Sequence, residues 1–157
     1  MRGLIVKNAL MSLYFIILQN AFSAPIERVL PVTVNIVTNQ VSSDLEIVAD
    51  KSAFLVIYNS KSQQFLPLDI PFKVRSVSGA SLAYSLRLSQ LGGICDGIEP
   101  LTPTPALDGI SATLNESYQF IGMENSHLLT LSFPSLYQTN LTQNCEGYVG
   151  VIAELTV

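Results

Sequence analysis

The sequence predicts an all-β protein built as an antiparallel β-sandwich. Three observations carry that expectation. Apolar residues recur with period two along most of the chain, and almost nowhere with the 3.6-residue period of a helix. The alternating segments are short. Polar, glycine or proline breaks separate them at a spacing that suits sandwich strands, which makes the sandwich immunoglobulin-like in type.

Leu30, Val32, Val34 and Ile36 fall on one face of the first segment, with Thr33 and Asn35 opposite. After Ser42-Ser43-Asp44 the pattern resumes at Leu45, Ile47 and Ala49. Phe54 to Tyr58 is a continuous apolar run, expected of a strand buried on both faces. Leu68, Ile70, Phe72 and Val74 alternate strictly, with Pro67 and Pro71 on the other face. Proline donates nothing to a ladder, so this strand is expected at an edge or with a bulge. Leu82, Tyr84, Leu86 and Leu88 alternate against Ser85, Arg87 and Ser89. Gly92-Gly93, Asp96-Gly97, Pro100, Pro103 and Pro105 then read as a loop region. Three more strands follow: Tyr118 to Met123, a segment marked by Leu129, Leu131 and Phe133, and Tyr148 to Val157. The last carries Val149, Val151, Ala153 and Leu155 on one face. The buried Trp of immunoglobulin domains is absent, since the chain has no Trp.

The chain has 157 residues, 48% hydrophobic and 13% charged, enough to bury a core. Residues 1–23 read as a signal peptide. Arg2 and Lys7 precede the apolar run Ala9 to Leu18, and Ala21 and Ser23 are small residues at the −3 and −1 positions. Cleavage after Ala24 fits less well, with Phe22 at −3 and Pro25 at +1. The run is short for a membrane span. Removing 23 residues from 157 leaves 134, a single domain over 24–157, with 6 basic residues against 12 acidic. That acidic balance argues against nucleic acid, whose phosphates need a basic face. Export predicts one disulfide between the only two cysteines, Cys95 and Cys145, rather than two free thiols.

Composition argues against an enzyme, and no cofactor is expected. One His and two Cys cannot assemble a Cys₄ or Cys₂His₂ zinc site. The single His127 follows Glu124-Asn125-Ser126 with no nucleophile or orienting acid nearby in sequence, and reads as a turn residue. Asp96 and Glu99 offer oxygen ligands for calcium but lack EF-hand spacing. The glycines Gly92, Gly93 and Gly97 precede no GxxxxGK pattern. Asn115-Glu116-Ser117 and Asn140-Leu141-Thr142 are sequons, meaningful only in a eukaryotic host.

The first strand has two readings. It is either the first strand of its own sandwich or a segment that pairs with another molecule. Donor-strand complementation uses an extended segment whose alternating apolar side chains fill pockets in an acceptor sheet.

Three places resemble the pilin subunits of the alternate chaperone–usher fimbriae, the alpha or colonisation-factor type. Glu27-Arg28 is followed by a donor-like segment within 24–40. A polar break leads into Leu45-Glu46-Ile47. The chain closes on Gly147-Tyr148-Val149-Gly150-Val151-Ile152-Ala153-Glu154-Leu155-Thr156. The resemblance implies an incomplete sandwich with Leu30, Val32, Val34 and Ile36 as the donor face. It implies that Val149, Val151, Ala153 and Leu155 border the groove where a periplasmic chaperone pairs. It further implies a homopolymer of identical or related subunits, an outer-membrane usher, export to a surface fimbrium and adhesion to a host receptor. The cysteine pair departs from the major subunits of this type. A monomeric secreted β-sandwich that binds a glycan or a protein is the alternative reading.

Overall fold

The computed structural model describes residues 29–38, 44–97, 99–136 and 143–156, with the side chains of Val29 and of 34–38 excepted. Residues 1–28, with the expected signal peptide of 1–23 among them, lie outside it, as does the Asn140 sequon. The described residues form twelve strands and no helix. In chain order these are β1 (Val29–Thr38), β2 (Leu45–Ala49), β3 (Ala53–Asn59), β4 (Gln64–Phe65), β5 (Leu68–Ser76) and β6 (Leu82–Cys95). Then come β7 (Glu99–Pro100), β8 (Thr104–Leu107), β9 (Ile110–Ser111), β10 (Tyr118–Gly122), β11 (Glu124–Ser132) and β12 (Cys145–Leu155). One sheet runs β10-β6-β12-β1-β3-β4, with β7 beside β6. The other runs β2-β5-β11-β8-β9. Their inner faces share one core, and the expected β-sandwich is the fold of the chain.

Alternation builds that core. In β5, Leu68, Ile70, Phe72, Val74 and Ser76 point inward and Asp69, Pro71, Lys73 and Arg75 outward. The outward side chains pair with acids on neighbouring strands, Lys73 with Glu124 and Arg75 with Glu46, in exposed contacts of small energetic weight. Leu129 and Leu131 of β11 meet β5 from the same layer. At the far end, Phe65 packs edge-on against Tyr58 and Phe133, and the Tyr58 hydroxyl donates to the Leu136 carbonyl at 2.9 Å.

Several expectations change. β3 is buried on one face only: Val56 and Tyr58 turn inward, while Leu55 and Ile57 are 71% and 57% exposed. Among the described residues no second layer covers its outer side, so an unbroken apolar run did not mean two buried faces. β5 lies inside its sheet rather than at an edge. Pro71 is tolerated because β2 pairs only with Phe72–Ser76, leaving the proline unpaired on that side. The presumed loop after Leu88 holds more strand. β6 continues through both glycines to Cys95, and β8 forms across Pro105.

Gly93 is held to glycine by backbone, and Gly92 lies under the tip of the Tyr148 side chain. A Cβ on Gly92 would sit 2.9 Å from the Tyr148 hydroxyl, and one on Gly93 would sit 2.8 Å from the Glu146 carbonyl oxygen. A register shift between Gly150 and Val151 adds a residue to β6 at Ser89, because Gly150 faces Gln90 and Val151 faces Leu88. One extra residue reverses the phase of everything beyond it. Even-numbered residues of β6 point inward up to Leu88, yet Cys95 is fully buried.

Candidate assembly site

The slot that β1 occupies is the first candidate. Alternating β-branched residues with no interior glycine favour an extended strand here. β1 runs antiparallel to β3, with Val29 to Thr33 facing Ile57 to Ala53. It runs parallel to β12, with Val32 to Thr38 facing Gly147 to Ala153. Its first half is therefore held by β3 and its second half by β12. Only Val32 and Thr33 are flanked on both sides. Leu30 and Val32 are buried in the chain's own core at 0% and 2% exposure. Pro31 and Thr33 point to solvent, as period two requires. Val34 and Ile36 face Val149 and Val151 in register, and their side chains lie outside the described residues.

Val149, Val151 and Ala153 are buried on the inner face of β12, and Leu155 is half-buried. Gly147 forms part of the seat for β1. A Cβ there would touch Val32 Cγ2 at 3.5 Å and Leu30 Cδ1 at 3.9 Å, so a larger side chain would press on both. An open cleft of about 590 Å³ lies at the entry to β1, bounded by Pro31, Ile94, Asp96, Asn144 and Glu146.

The two cysteines form a disulfide, Cys95–Cys145, between facing residues of β6 and β12. Asp96 clasps the same corner. Its amide donates to the Asn144 carbonyl at 2.7 Å, and its carboxylate accepts from the Asn144 amide at 2.8 Å. Asp96 is thus engaged with backbone, and Glu99 is exposed on β7. No cluster of three or more His, Cys, Asp or Glu among the described residues is placed to hold a metal ion. No helix among them is long and apolar enough to cross a membrane. Asn115 of the described sequon is exposed at positive φ.

His127 is not a turn residue. It lies in β11, in phase with Leu129 and Leu131, and is buried. Its Nδ1 lies 2.8 Å from Asp108 Oδ2 and its Nε2 2.8 Å from the Tyr84 hydroxyl. Asn125 Nδ2 donates to that same hydroxyl oxygen at 2.8 Å, and the Leu128 amide donates to Asp108 Oδ1 at 2.8 Å. Phe120 and Phe72 flank the imidazole, with ring centroids at 4.6 and 5.4 Å. Burial raises the Tyr84 phenol above its ordinary range. The Asn125 bond opposes this shift and the Asp108 charge adds to it. Tyr84 therefore remains a donor at neutral pH, and the chain of bonds joins β6 of one sheet to β11 of the other.

Sequence reasoning missed Tyr84, Asp108 and Asn125 as partners of His127. One local signal was available. Asp108-Gly109 is a two-residue hairpin turn joining β8 to β9, with both residues at positive φ. Its pairing with β11, which delivers the Asp108 carboxylate to His127, is a long-range event with no local mark.

No protein-family model matches the chain, and no curated protein matches it. Among solved structures the chain is similar to the CooA pilin subunit of enterotoxigenic Escherichia coli. The TM-score is 0.45 at 8% identity, over 69% of this chain and 97% of that one.

Proposed function

We propose that the chain is a structural subunit of a surface fimbrium, polymerised by exchange of its first strand and contributing to adhesion to host cells. In this reading a periplasmic chaperone holds the subunit before assembly and an outer-membrane usher orders the polymer. The observation that carries the reading is the placement of β1. It is the first element of the sandwich, it lies between β3 and β12, and its inward side chains Leu30 and Val32 fill the core. The rest of the sandwich follows from its Thr38 end. It can leave without unthreading any other strand, and a second copy's identical strand would meet the same partners.

The test is a pair of substitutions one residue apart. Val34→Asp places a carboxylate on the face that alternation assigns to Leu30 and Val32, where an unpaired charge is strongly unfavourable. Surface fibres vanish, while chaperone-bound subunit still accumulates because the chaperone strand fills the slot. Thr33→Asp, on the exposed face, is much milder. Normal fibres from Val34→Asp, or loss of the chaperone-bound subunit as well, would overturn the assignment.

The closed sheet also favours a second reading. A chain whose own β1 completes its sheet fits a secreted β-sandwich module that binds a glycan or a protein as a monomer. Sedimentation of the protein released from the cell surface separates the two, since one gives fibres and the other a monomer.

A further inference from the structure

We infer that β1 is a self-cap, occupying in the free monomer the slot that a second copy's β1 would take, so that release of β1 gates assembly. This rests on the strand-exchange reading above and adds its regulation. Three features of the slot support it. β1 bonds to both neighbours, β3 through Val29–Thr33 and β12 through Val32–Thr38, so every residue of β1 has a partner strand on at least one side. Leu30 and Val32 are buried against the bare backbone of Gly147. Only residues 39–44 separate Thr38 from Leu45, where the second sheet begins. So short a tether holds β1 at an effective concentration of roughly millimolar beside its own slot. A second copy offers the same side chains from solution, at whatever its free concentration is. The chain's own strand therefore wins until the local subunit concentration matches that of the tether, or until another protein holds β1 out.

The gate has a kinetic signature. A competitor enters only after the resident strand has left, so its entry rate must level off at the opening rate. The probe is a fluorescent peptide of residues 24–40, added to the intact mature chain and followed by anisotropy. Uptake is expected to rise with peptide until peptide exceeds the tether's effective concentration, and then to level off at the opening rate. Leu30→Ala in the chain, but not in the peptide, weakens the resident strand alone and raises the plateau rate tenfold or more. A lock provides the second arm. Pro31 and Leu55 face one another in register on β1 and β3, and both are exposed. Pro31→Cys with Leu55→Cys therefore closes the cap under oxidation without touching the core. The oxidised chain takes up no peptide, and its reduced form recovers uptake.

Uptake that rises in proportion to peptide and ignores the lock overturns the self-cap while leaving strand exchange standing. No uptake by either the folded Leu30→Ala chain or the reduced double variant overturns the self-cap and strand exchange together, because β1 is then a permanent strand.

Discussion

His127 has both ring nitrogens engaged, and the carboxylate beside Nδ1 decides which of them carries the proton. An ionised Asp108 only accepts, so Nδ1 is protonated and donates to it. Nε2 is then the acceptor for the Tyr84 hydroxyl, whose oxygen in turn accepts from Asn125. Both ring nitrogens of His127 and the Tyr84 hydroxyl thus have partners, and each shared proton has one place. Asp108→Asn reverses that order. The amide oxygen still serves the Leu128 amide, so the amide nitrogen faces Nδ1 and drives the proton to Nε2. The Tyr84 hydroxyl hydrogen is then left without an acceptor, at a cost of about 1–3 kcal/mol. Imidazole nitrogen shifts should report the exchanged tautomer, and chemical denaturation should report the lost stability. An unchanged tautomer would refute the proton assignment.

The β6–β12 pair shows how one element depends on a single added residue. With an unbroken period two from Leu88, Ile94 would face the core and Cys95 would face solvent. The bulge at Ser89 restores Cys95 to the inner face opposite Cys145. The disulfide closes a sequence separation of 50 residues, for which loop-closure entropy predicts about 4 kcal/mol. Replacing both cysteines with Ala should lower the unfolding free energy by about 2–4 kcal/mol, read from urea midpoints. The bridge lies between neighbouring strands of one sheet. Its loss should therefore leave the slot for β1 intact, and peptide uptake by the double variant should still level off.

For the molecule as a whole, the two sheets are joined by apolar packing and by the Tyr84–His127 bond that crosses between them. Burial of the Tyr84 phenol, aided by the nearby Asp108 charge, gives stability a specific dependence on pH. The folded chain holds the Tyr84 proton above the ordinary phenol value of 10.0, and the unfolded chain releases it at about that value. Above pH 10 the folded state thus binds more protons than the unfolded state, and unfolding becomes easier as pH rises. The contribution is constant below that range and is lost as pH climbs from 10 toward the folded value. Tyr84→Phe should be less stable at neutral pH, because His127 and Asn125 lose their shared partner, yet its stability should fall less steeply between pH 9 and 11. Equal alkaline slopes in the two proteins would remove Tyr84 from this account.

Strands whose side chains alternate were readable from the amino-acid sequence. β1, β5, β10, β11 and β12 were legible because each buries one face, and period two records which face that is. Leu30 and Val32 inward with Thr33 outward, and Val149, Val151 and Ala153 on one side of β12, follow from spacing alone. The cysteine pair was legible from the count of two and from the export that residues 1–23 led us to expect. What lies against those faces emerged from the folded arrangement. It made β3 one-sided, with Leu55 and Ile57 exposed among the described residues. It carried β6 through two glycines because Tyr148 and the Glu146 carbonyl need the space. It turned His127 from a turn residue into a buried link by bringing Asp108 and Tyr84 to it across two sheets. It also seated β1 between β3 and β12 of the same chain, where sequence left two readings open. The physical reason is common to all four. Alternation is a property of neighbours along the chain, whereas a partner strand, a packed ring or a shared proton is a property of residues far apart in sequence, and a single sequence carries no periodic signal for those.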